Sequence, residues 1–321
     1  MMSTPTDTQR MEKIVSLCKR RGFIFQSSEI YGGLNGAWDY GPLGVELKRN
    51  LKNYWWRVMV HERDDVVGMD GAILTHPAVL NASGHVEGFS DPMIDCRTCK
   101  AHLRADQLVE KKDVKQCPNC GGKDLTEARQ FNLMFETHVG AAAEESSVAY
   151  LRPETAQSIF VQFKNILEVS RKKLPFGIAQ IGKAFRNEIN PRNFTFRSRE
   201  FEQMELEYFC SAEEGMKWLD YWLEERLKFY ENIGIPRDRL HARKVPDEER
   251  AFIRRAPTTS NTISRLAARS SKGSRTGPIT ICYSTRKRAV NRLSISMMRR
   301  SSVSFLMWLS QALAWTAQYS P

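Results

Sequence analysis

The chain has 321 residues, enough for one large domain with insertions or for two smaller domains, and its 41% hydrophobic and 26% charged content is ordinary for a globular protein. The net charge is +11, but residues 251–321 hold 12 Lys and Arg and no Asp or Glu, so residues 1–250 carry 36 basic and 37 acidic side chains. The overall charge therefore excludes no function and does not by itself indicate nucleic-acid binding, because the excess belongs to one segment.

Membrane insertion is not expected from the hydropathy of the chain. No apolar run approaches the ~20 residues that a membrane-spanning helix needs. The best candidate, residues 303–315, is short and contains Ser304, Ser310 and Gln311. The N-terminus has no apolar core followed by a small-residue cleavage site, so we expect no signal peptide. These features predict a cytoplasmic location and no membrane partner.

Residues 9–60 have the pattern of a helix, a Gly-rich loop and a second helix. The loop, residues 31–44 (YGGLNGAWDYGPLG), requires special backbone geometry. The second helix is predicted at about residues 45–62, and a strand at residues 65–74 runs up to Pro77. An apolar stripe at helical spacing lies on the second helix and comprises Leu47, Leu51, Tyr54, Trp55 and Val58. This stripe packs either in the core of the chain or against a second subunit.

Four cysteines indicate a metal site within residues 96–127. Two C-x-x-C pairs, Cys96 with Cys99 and Cys117 with Cys120, have 17 residues between them, which is a zinc-ribbon spacing. In a cytosolic protein four thiolates in this pattern favour Zn²⁺ over disulfides. Four Cys ligands leave no open position, so the predicted role is structural. The alternative is a pair of redox-inert C-x-x-C turns.

Residues 176–187 and 195–210 are predicted to form two strands of a hairpin around a polar loop. The period of two places Phe201, Gln203, Glu205 and Glu207 on one face of the second strand, and Met204, Leu206 and Tyr208 on the other. The apolar face should pack on helices. A structural strand rarely buries an aromatic ring, an amide and two carboxylates together, because unpaired buried charges are costly. The alternative is a solvated outer face.

Charged side chains surround this hairpin at Arg186, Glu188, Arg197 and Arg199. Guanidinium groups bind phosphate oxygens through paired hydrogen bonds and stay charged at any working pH. An aromatic ring close by can stack on a nucleobase. The pattern therefore indicates a nucleotide site.

Two further helices are predicted around the hairpin. One follows the RPETAQ sequence within residues 150–173. The other should begin at the S-x-x-E pattern of Ser211 and Glu214, which is typical of a capping box. It should end near residue 233, before Gly234.

Residues 185–207 (FRNEINPRNFTFRSREFEQMELE) resemble motif 2 of class II aminoacyl-tRNA synthetases, which runs F-R-x-E, a loop, then R-x-x-x-F. The segments YGGLNGAWDYGPLGVELK, SGHVEGFSDPMIDC, FNLMF, YLRPETAQ and KLPFGIAQIGKAFRNE extend the similarity, over about residues 9–252, to the homodimeric glycyl-tRNA synthetases. The resemblance implies an α+β fold, with an antiparallel sheet flanked by helices. It places an incomplete catalytic core at residues 1–250 and a small zinc-ribbon-like insertion at residues 96–127.

The resemblance also implies roles for individual residues. Arg186, as the catalytic residue, would hold the ATP α-phosphate and the amino-acid carboxylate, Arg197 the γ-phosphate, and Glu188 the adenine amino group. Phe201 would stack on adenine. The implied ATP-binding set is Arg186, Asn187, Glu188, Phe196, Arg197, Ser198, Arg199, Glu200 and Phe201. The implied substrate-binding set is Arg104, Glu154, Phe201, Glu202, Gln203, Met204 and Glu205, in which Glu154 binds the substrate ammonium. Ser158 stands where the family usually has Gly and adds a hydroxymethyl group near the glycine pocket.

The function implied is the ATP-dependent activation of glycine to glycyl-adenylate and its transfer to tRNA(Gly). The implied cofactors are ATP as a substrate, Mg²⁺ on its phosphates and a structural Zn²⁺. The implied partners are glycine, tRNA(Gly) and a second copy of the chain, bound through motif 1 at about residues 45–77. Two alternatives remain: a class II ligase for serine, threonine or proline, and a non-catalytic synthetase-like module that binds ATP or RNA.

Residues 251–321 lack a recognisable motif 3, and we expect an irregular tail there with no native domain and no anticodon-binding domain. A shift of one nucleotide accounts for this composition. If the native codons begin one nucleotide earlier, residues 270–289 can derive from a gene encoding ELEGIADRTDYDLLQHTKAS, and residues 307–320 from one encoding HVVEPSAGVDRAVLA. These strings resemble the ELEG segment and motif 3 of the family. The sequence therefore predicts a one-nucleotide deletion near codon 252 and an inactive chain, against the alternative of a native basic RNA-binding tail.

Overall fold

The structure is a computed structural model that describes residues 7–105, 108, 116–141, 147–191, 194–211, 213–244, 263–270 and 275–284. The segment predicted to derive from motif 3, residues 307–320, lies outside the described residues. None of the helices in these ranges combines the length and the apolar character that a membrane span requires.

Six helices and fourteen strands are described. The helices are α1 (Asp7–Arg20), α2 (Pro42–Trp56), α3 (Pro77–Ala82), α4 (His85–Gly88), α5 (Ala156–Ser170) and α6 (Gly215–Asn232). The first strands are β1 (Ile24–Gln26), β2 (Trp38–Tyr40), β3 (Val66–Gly68), β4 (Leu74–Thr75), β5 (Ser90–Asp95), β6 (His102–Arg104) and β7 (Arg129–Asn132). The others are β8 (Phe135–His138), β9 (Val148–Leu151), β10 (Phe176–Phe185), β11 (Glu200–Ser211), β12 (Leu240–Lys244), β13 (Ile263–Ser270) and β14 (Arg275–Ser284).

The largest sheet has six strands in the order β12-β13-β14-β11-β10-β3. Its centre is the antiparallel pair β10–β11, in register from Phe176 opposite Phe209 to Phe185 opposite Glu200. This confirms the predicted hairpin. The expectation of an antiparallel sheet is corrected at two pairings, because β3 lies parallel to β10 and β14 lies parallel to β11. Both strands reach the sheet from distant parts of the chain, and a long connection permits parallel pairing where a hairpin does not.

The expectation of an irregular tail is wrong for two stretches of residues 251–321. β13 pairs antiparallel with β12 and with β14, which extends the sheet beyond β11. β14 contains Thr280, Ile281 and Tyr283, and β-branched and aromatic residues favour strands in any reading frame. Backbone pairing of this kind does not depend on the identity of the side chains, so it leaves the origin of the segment open.

The apolar face of β11 packs as predicted. Met204, Leu206 and Tyr208 lie in one hydrophobic cluster with α2 and α6. From the predicted stripe of α2, Leu51 and Trp55 are buried in this same cluster. The stripe is therefore largely part of the core of this chain. The opposite face of the hairpin packs at its far end on α5, where Phe176 and Phe209 meet Phe160.

Helix boundaries differ from the predictions by a few residues. α2 begins at Pro42, whose missing N–H suits the first turn, and a π-helical turn from Arg57 to His61 follows the helix. The predicted strand at residues 65–74 is divided into β3 and β4. The capping box is wrong: Ser211 remains the last residue of β11, and its hydroxyl donates to the Glu214 carboxylate at 3.0 Å. α6 ends as predicted, before Gly234 with a φ of 91°.

Candidate functional site

The polar face of the β10–β11 hairpin is buried. Across the pair, Gln203 lies opposite Gly182 and Glu205 opposite Gln180. The exposed fraction is 1% for Gln203 and 2% for Glu207. The interpretation of a solvated outer face is therefore wrong. Buried carboxylates and amides need partners, so the segment that covers this face, residues 152–155 after β9, decides what the face can bind.

Arg186 lies at the end of β10 and is 5% exposed. Its Nε donates to the Pro153 carbonyl at 3.0 Å, and its Nη2 lies 3.8 Å from Glu154 Oε2. The guanidinium carbon is 5.2 Å from the ring centre of Phe201 and 5.4 Å from that of Phe89. The structure thus brings Arg186, Phe201 and Glu154 together, with the guanidinium of Arg186 close to the rings of Phe89 and Phe201.

Glu154 is 2% exposed and keeps its negative charge through its neighbours. Burial by itself raises the pKa of this carboxyl, but His85, Arg186 and Gln157 outweigh burial and hold the pKa below its usual value. His85 Nε2 lies 3.4 Å from Glu154 Oε1, and His85 Nδ1 lies 2.9 Å from Ser83 Oγ. His85 is not among the predicted site residues, although it lies in the family-like segment SGHVEGFSDPMIDC.

Glu205 faces the same space with the opposite shift. Burial and the charge of Glu154 raise the pKa of Glu205 from 4.5 to about 7. The carboxylate accepts from the Thr155 N–H at 3.2 Å and from the Thr155 hydroxyl. The same N–H donates to Gln203 Oε1 at 3.1 Å. Two carboxylates of unequal pKa in one buried space form an acceptor for a cation, and a bound cation would release the proton from Glu205.

This shift gives a stability prediction. Because the pKa of Glu205 is higher in the folded chain than in the unfolded chain, protonation of Glu205 stabilises the fold. This contribution is fully present below about pH 4.5 and is lost as the pH rises through about 7. Without ligand, the free energy of unfolding should fall between pH 5 and 8 by an amount on the order of 2 kcal/mol. Glu205→Gln should remove most of this slope, whereas Glu168→Gln, on the exposed side of α5, should not. Urea unfolding at several pH values measures it, and equal slopes in the two variants would contradict the assignment.

A second charged group lies at the mouth of the hairpin. Arg197 Nε donates to Glu188 Oε2 at 2.7 Å, and Arg199 Nη2 donates to the Glu188 carbonyl at 3.0 Å. Arg197 Nη2 also lies 4.0 Å from Asp91 Oδ2, and the same oxygen of Asp91 is in ion-pair contact with Arg104 Nη1. The predicted nucleotide residues Glu188 and Arg197 are therefore paired, and Arg104 joins them through Asp91, which sequence reasoning missed.

The other residues predicted to bind ATP or the substrate do not all lie in this cluster. Glu202 and Met204 lie on the opposite face of β11, where Glu202 pairs with Lys48 at 3.1 Å, so they do not join the cluster. Glu200 is exposed and pairs with Lys183. Asn187, Phe196 and Ser198 lie along the hairpin loop. The Asn187 N–H donates to the Leu133 carbonyl, and the Ser198 hydroxyl donates to the Thr195 carbonyl. Phe196 packs with the hydrophobic cluster around Ile24.

Ser158 belongs to a buried hydrogen-bond network behind the acidic pair. Its hydroxyl donates to the Thr155 carbonyl at 2.8 Å and lies 2.9 Å from Gln180 Nε2. Gln180 is fully buried, donates to the Thr155 carbonyl at 2.9 Å and accepts from the Gly71 N–H at 2.5 Å. A Cβ at Gly71 would lie 2.6 Å from Ser158 Oγ, so glycine is required there. The network fixes the backbone of Thr155 through two hydrogen bonds to its carbonyl.

The four predicted metal ligands converge. The Sγ atoms of Cys96, Cys99, Cys117 and Cys120 all lie within 4.8 Å of one another. Cys96 Sγ is 3.7 Å from Cys120 Sγ, and Cys99 Sγ is 3.6 Å from Cys117 Sγ. Sulfurs bound tetrahedrally to zinc at about 2.3 Å are separated by about 3.8 Å, so the arrangement fits that ion.

Comparison with known proteins gives a family match and close relatives. The family described as "tRNA synthetase class II core domain (G, H, P, S and T)" matches residues 135–314. The chain is 59% identical over 231 residues to a glycine–tRNA ligase of Treponema denticola, with 72% of this chain and 51% of the relative covered. It is 50% identical over 273 residues to a glycine–tRNA ligase of Alkaliphilus oremlandii, with coverages of 77% and 59%.

A third curated relative and one solved structure complete the comparison. A glycine–tRNA ligase of Borreliella burgdorferi is 56% identical over 233 residues, with coverages of 72% and 52%. The RNA-binding domain of threonyl-tRNA synthetase from Cryptosporidium parvum Iowa II is 16% identical, with a TM-score of 0.47 and coverages of 73% and 46%. The chain spans about half the length of the curated relatives it matches.

Proposed function

Because this chain belongs to the class II tRNA synthetase core family, we propose that it is part of a glycine–tRNA ligase, which activates glycine with ATP and transfers it to tRNA(Gly). The observation that carries this proposal is the buried group of Arg186, Glu154 and Glu205, in which a guanidinium lies beside two carboxylates. Such a group matches an amino-acid zwitterion, whose carboxylate and ammonium are only one carbon apart.

The ammonium of glycine would bind between Glu154 and Glu205, with the Gln203 side chain oxygen as a third acceptor. Arg186 would hold the carboxylate and the ATP α-phosphate, since guanidinium pairs well with both anions. Selection against larger amino acids would come from volume: the buried network of Ser158, Gln180 and Thr155 occupies the space beside the acidic pair.

The nucleotide would bind along the hairpin. Phe201 offers a ring for adenine, Glu188 and Arg197 lie at the mouth, and Mg²⁺ would bridge phosphate oxygens. In the first step a glycine carboxylate oxygen attacks the α-phosphorus and pyrophosphate leaves with the electron pair of the broken P–O bond. In the second, a terminal ribose hydroxyl of tRNA attacks the carbonyl carbon, AMP leaves and the hydroxyl proton is released. Neither step needs a general base, so positioning and cationic stabilisation of the phosphates supply the catalysis.

Direct binding tests this proposal on the 321-residue chain. Calorimetric titration with Mg·ATP should give binding, and glycine added to the ATP-saturated protein should bind in preference to serine, threonine or proline. Binding of one of those three in place of glycine would assign a different class II ligase. Binding of ATP without any amino acid, and without pyrophosphate exchange in a chain of restored frame, would favour the non-catalytic module.

We further propose that residues 251–321 are read out of frame after a one-nucleotide deletion near codon 252. The segment has no acidic residue, and the shifted reading restores the ELEG-like and motif-3-like strings in the order of the family. Strands β13 and β14 and the family match up to residue 314 lie in the same segment, so the gene itself must be sequenced. An intact frame in independent isolates would overturn this proposal and favour a native basic tail, which should bind RNA in a salt-dependent manner.

The four cysteines are proposed to bind one structural Zn²⁺. Purified protein should contain about one zinc per chain, and the double variant Cys117→Ser/Cys120→Ser should contain none, because two thiolates do not complete the tetrahedral site. The control is Cys18→Ala, which removes a buried thiol outside the group. Elemental analysis measures the content, and an equal zinc content in the double variant would exclude the site.

A homodimer is proposed through the region of motif 1, about residues 45–77. The apolar stripe of α2 is largely buried in its own chain, so the surface available for a partner includes neighbouring side chains. Ile30 and Tyr31 are 87% and 88% exposed, and Leu34 and Leu43 are also exposed. Apolar side chains at this exposure favour burial against a second copy.

The proposed location of this chain is the cytoplasm.

A further inference from the structure

The four-cysteine insertion and the nucleotide hairpin meet at Asp91. This residue lies on β5 and is 5% exposed. One of its carboxylate oxygens is in ion-pair contact with Arg104 on β6, and the same oxygen lies 4.0 Å from Arg197 Nη2 in the hairpin loop. A buried carboxylate between two guanidinium groups restricts both of them, because neither can move without leaving a charge less well paired.

The ion pairs continue beyond Asp91 and form a balanced row. Arg197 Nε donates to Glu188 Oε2 at 2.7 Å, so the order of charges is Arg104, Asp91, Arg197, Glu188. Two positive and two negative side chains alternate in a largely buried space. Asp91, on the strand that leads into the insertion, connects Arg104 of the insertion with Arg197 of the hairpin loop.

The insertion holds its half of the row rigidly. Cys96 directly follows β5, and its N–H donates to the Ala101 carbonyl at 2.9 Å, which closes the turn between β5 and β6. Asp95 and Thr126 exchange two hydrogen bonds of 2.9 Å, so the second cysteine pair is anchored to the same strand. A metal ion in the cysteine group would fix this turn and with it the register that places Arg104 opposite Met93.

A second contact joins the two parts. The Asn190 side chain in the hairpin loop donates from Nδ2 to the His102 carbonyl of β6 at 2.9 Å. The loop is thus held from the insertion at two points, one ionic and one neutral. The ionic point acts on the guanidinium that lies at the phosphate end of the proposed nucleotide site.

We propose that Asp91 is a positioning residue, through which the four-cysteine insertion orients Arg197 and sets the preference of the site for a triphosphate over a monophosphate. The inference rests on the proposed function of the hairpin as an ATP site. Reciprocal coupling follows: metal in the insertion strengthens ATP binding, and ATP strengthens metal binding.

Electrostatics alone predicts the opposite result for loss of the charge. Asp91→Asn removes a negative charge near the phosphates, which by Coulomb attraction would strengthen binding of ATP more than binding of AMP. A positioning role predicts that the preference for ATP falls, because Arg197 loses the partner that orients it. The sign of the change therefore separates the two accounts.

The experiment is calorimetric titration of the full 321-residue chain, loaded with zinc, with Mg·ATP and with AMP. In Asp91→Asn the ratio of ATP affinity to AMP affinity should fall by about fivefold to tenfold. Asp91→Glu, which keeps the charge, should retain more of the ratio. The matched control is Asp95→Asn on the same strand, whose carboxylate pairs with His102 and Arg129 and does not contact Arg197; its ratio should equal that of the wild type.

An unchanged or increased ratio in Asp91→Asn overturns the inference. If circular dichroism shows that Asp91→Asn does not fold, the ratio of ATP affinity to AMP affinity is measured in Arg104→Lys instead. This variant keeps the positive charge and removes the guanidinium that holds Asp91. A lowered ratio supports the inference and an unchanged one overturns it. Failure of the folded wild-type chain to bind ATP is a different result, and it overturns the proposed function of the hairpin if the frame-restored protein also fails to bind ATP.

Discussion

Insertion of one nucleotide near codon 252 should convert a chain with little or no aminoacylation activity into one that charges tRNA(Gly) with glycine. The expected gain is at least about a thousandfold, since removal of a single preorganised donor to a charged transition state costs about 100-fold to 1,000-fold. The shifted reading removes more than one such group: it replaces the motif-3-like string, with its arginine, by residues 307–320, and it changes the sequence around the ELEG-like string.

Charging of purified tRNA with labelled glycine measures this gain. The matched control carries three inserted nucleotides at the same position, which adds one residue and leaves the frame of residues 251–321 unchanged. That control should remain as inactive as the original chain. Activity of the original 321-residue chain within about tenfold of the one-nucleotide variant would contradict the reading-frame proposal, because the gain expected from a transition-state group is larger.

Arg186→Gln should have the second largest effect. In the frame-restored protein it should lower the rate of glycine-dependent pyrophosphate exchange by about 100-fold to 1,000-fold, because Arg186 is the buried cation beside the acidic pair. Glutamine keeps hydrogen-bond donors and removes the charge, so the loss reports the charge. The Michaelis constants for ATP and glycine should rise together, since one guanidinium would hold both the α-phosphate and the carboxylate.

The control for this variant is Arg129→Gln on β7, a side chain that is 62% exposed and pairs with Asp95 outside the acidic pair. Its exchange rate should stay within about twofold of the parent protein, as is usual for an exposed ion pair. An Arg186→Gln protein that folds and keeps more than about a tenth of the exchange rate would exclude Arg186 as the principal cation of the site.

The hairpin and its faces could be predicted from the sequence because strand alternation is a local property. The period of two correctly assigned Met204 and Leu206 to the core and Gln203 and Glu207 to the buried polar face. The same rule also places Glu202 on the core face, where it pairs with Lys48 of α2. Its inclusion in the substrate set came from the contiguous motif, which does not distinguish the two faces.

The partners that tune the site could not be predicted because they are distant in sequence. His85 reaches Glu154 from α4, and Asp91 reaches Arg197 from β5. Neither contact has a spacing signal. The convergence of the four cysteines could be predicted because two C-x-x-C pairs constrain the sequence locally, and it needs only one chain reversal.

The two parallel pairings of the central sheet were also beyond the sequence pattern. β3 has only three residues, and β14 is of mixed composition. Each pairs with a strand that is many residues away in the chain, so no local pattern predicts the pairing. The predicted irregular tail was wrong at β13 and β14, because a lack of acidic residues and of clear periodicity does not prevent a backbone from pairing with a strand on each side.

A non-hydrolysable glycyl-adenylate analogue tests the central claim most directly, because it occupies the nucleotide and the glycine positions at once. Calorimetry on the 321-residue chain should give binding that is at least about tenfold tighter than that of the seryl analogue, a margin that a pocket too small for a side chain can supply. Arg186→Gln should abolish that binding. Equal affinities for the glycyl and seryl analogues, or binding that survives Arg186→Gln unchanged, would contradict the account.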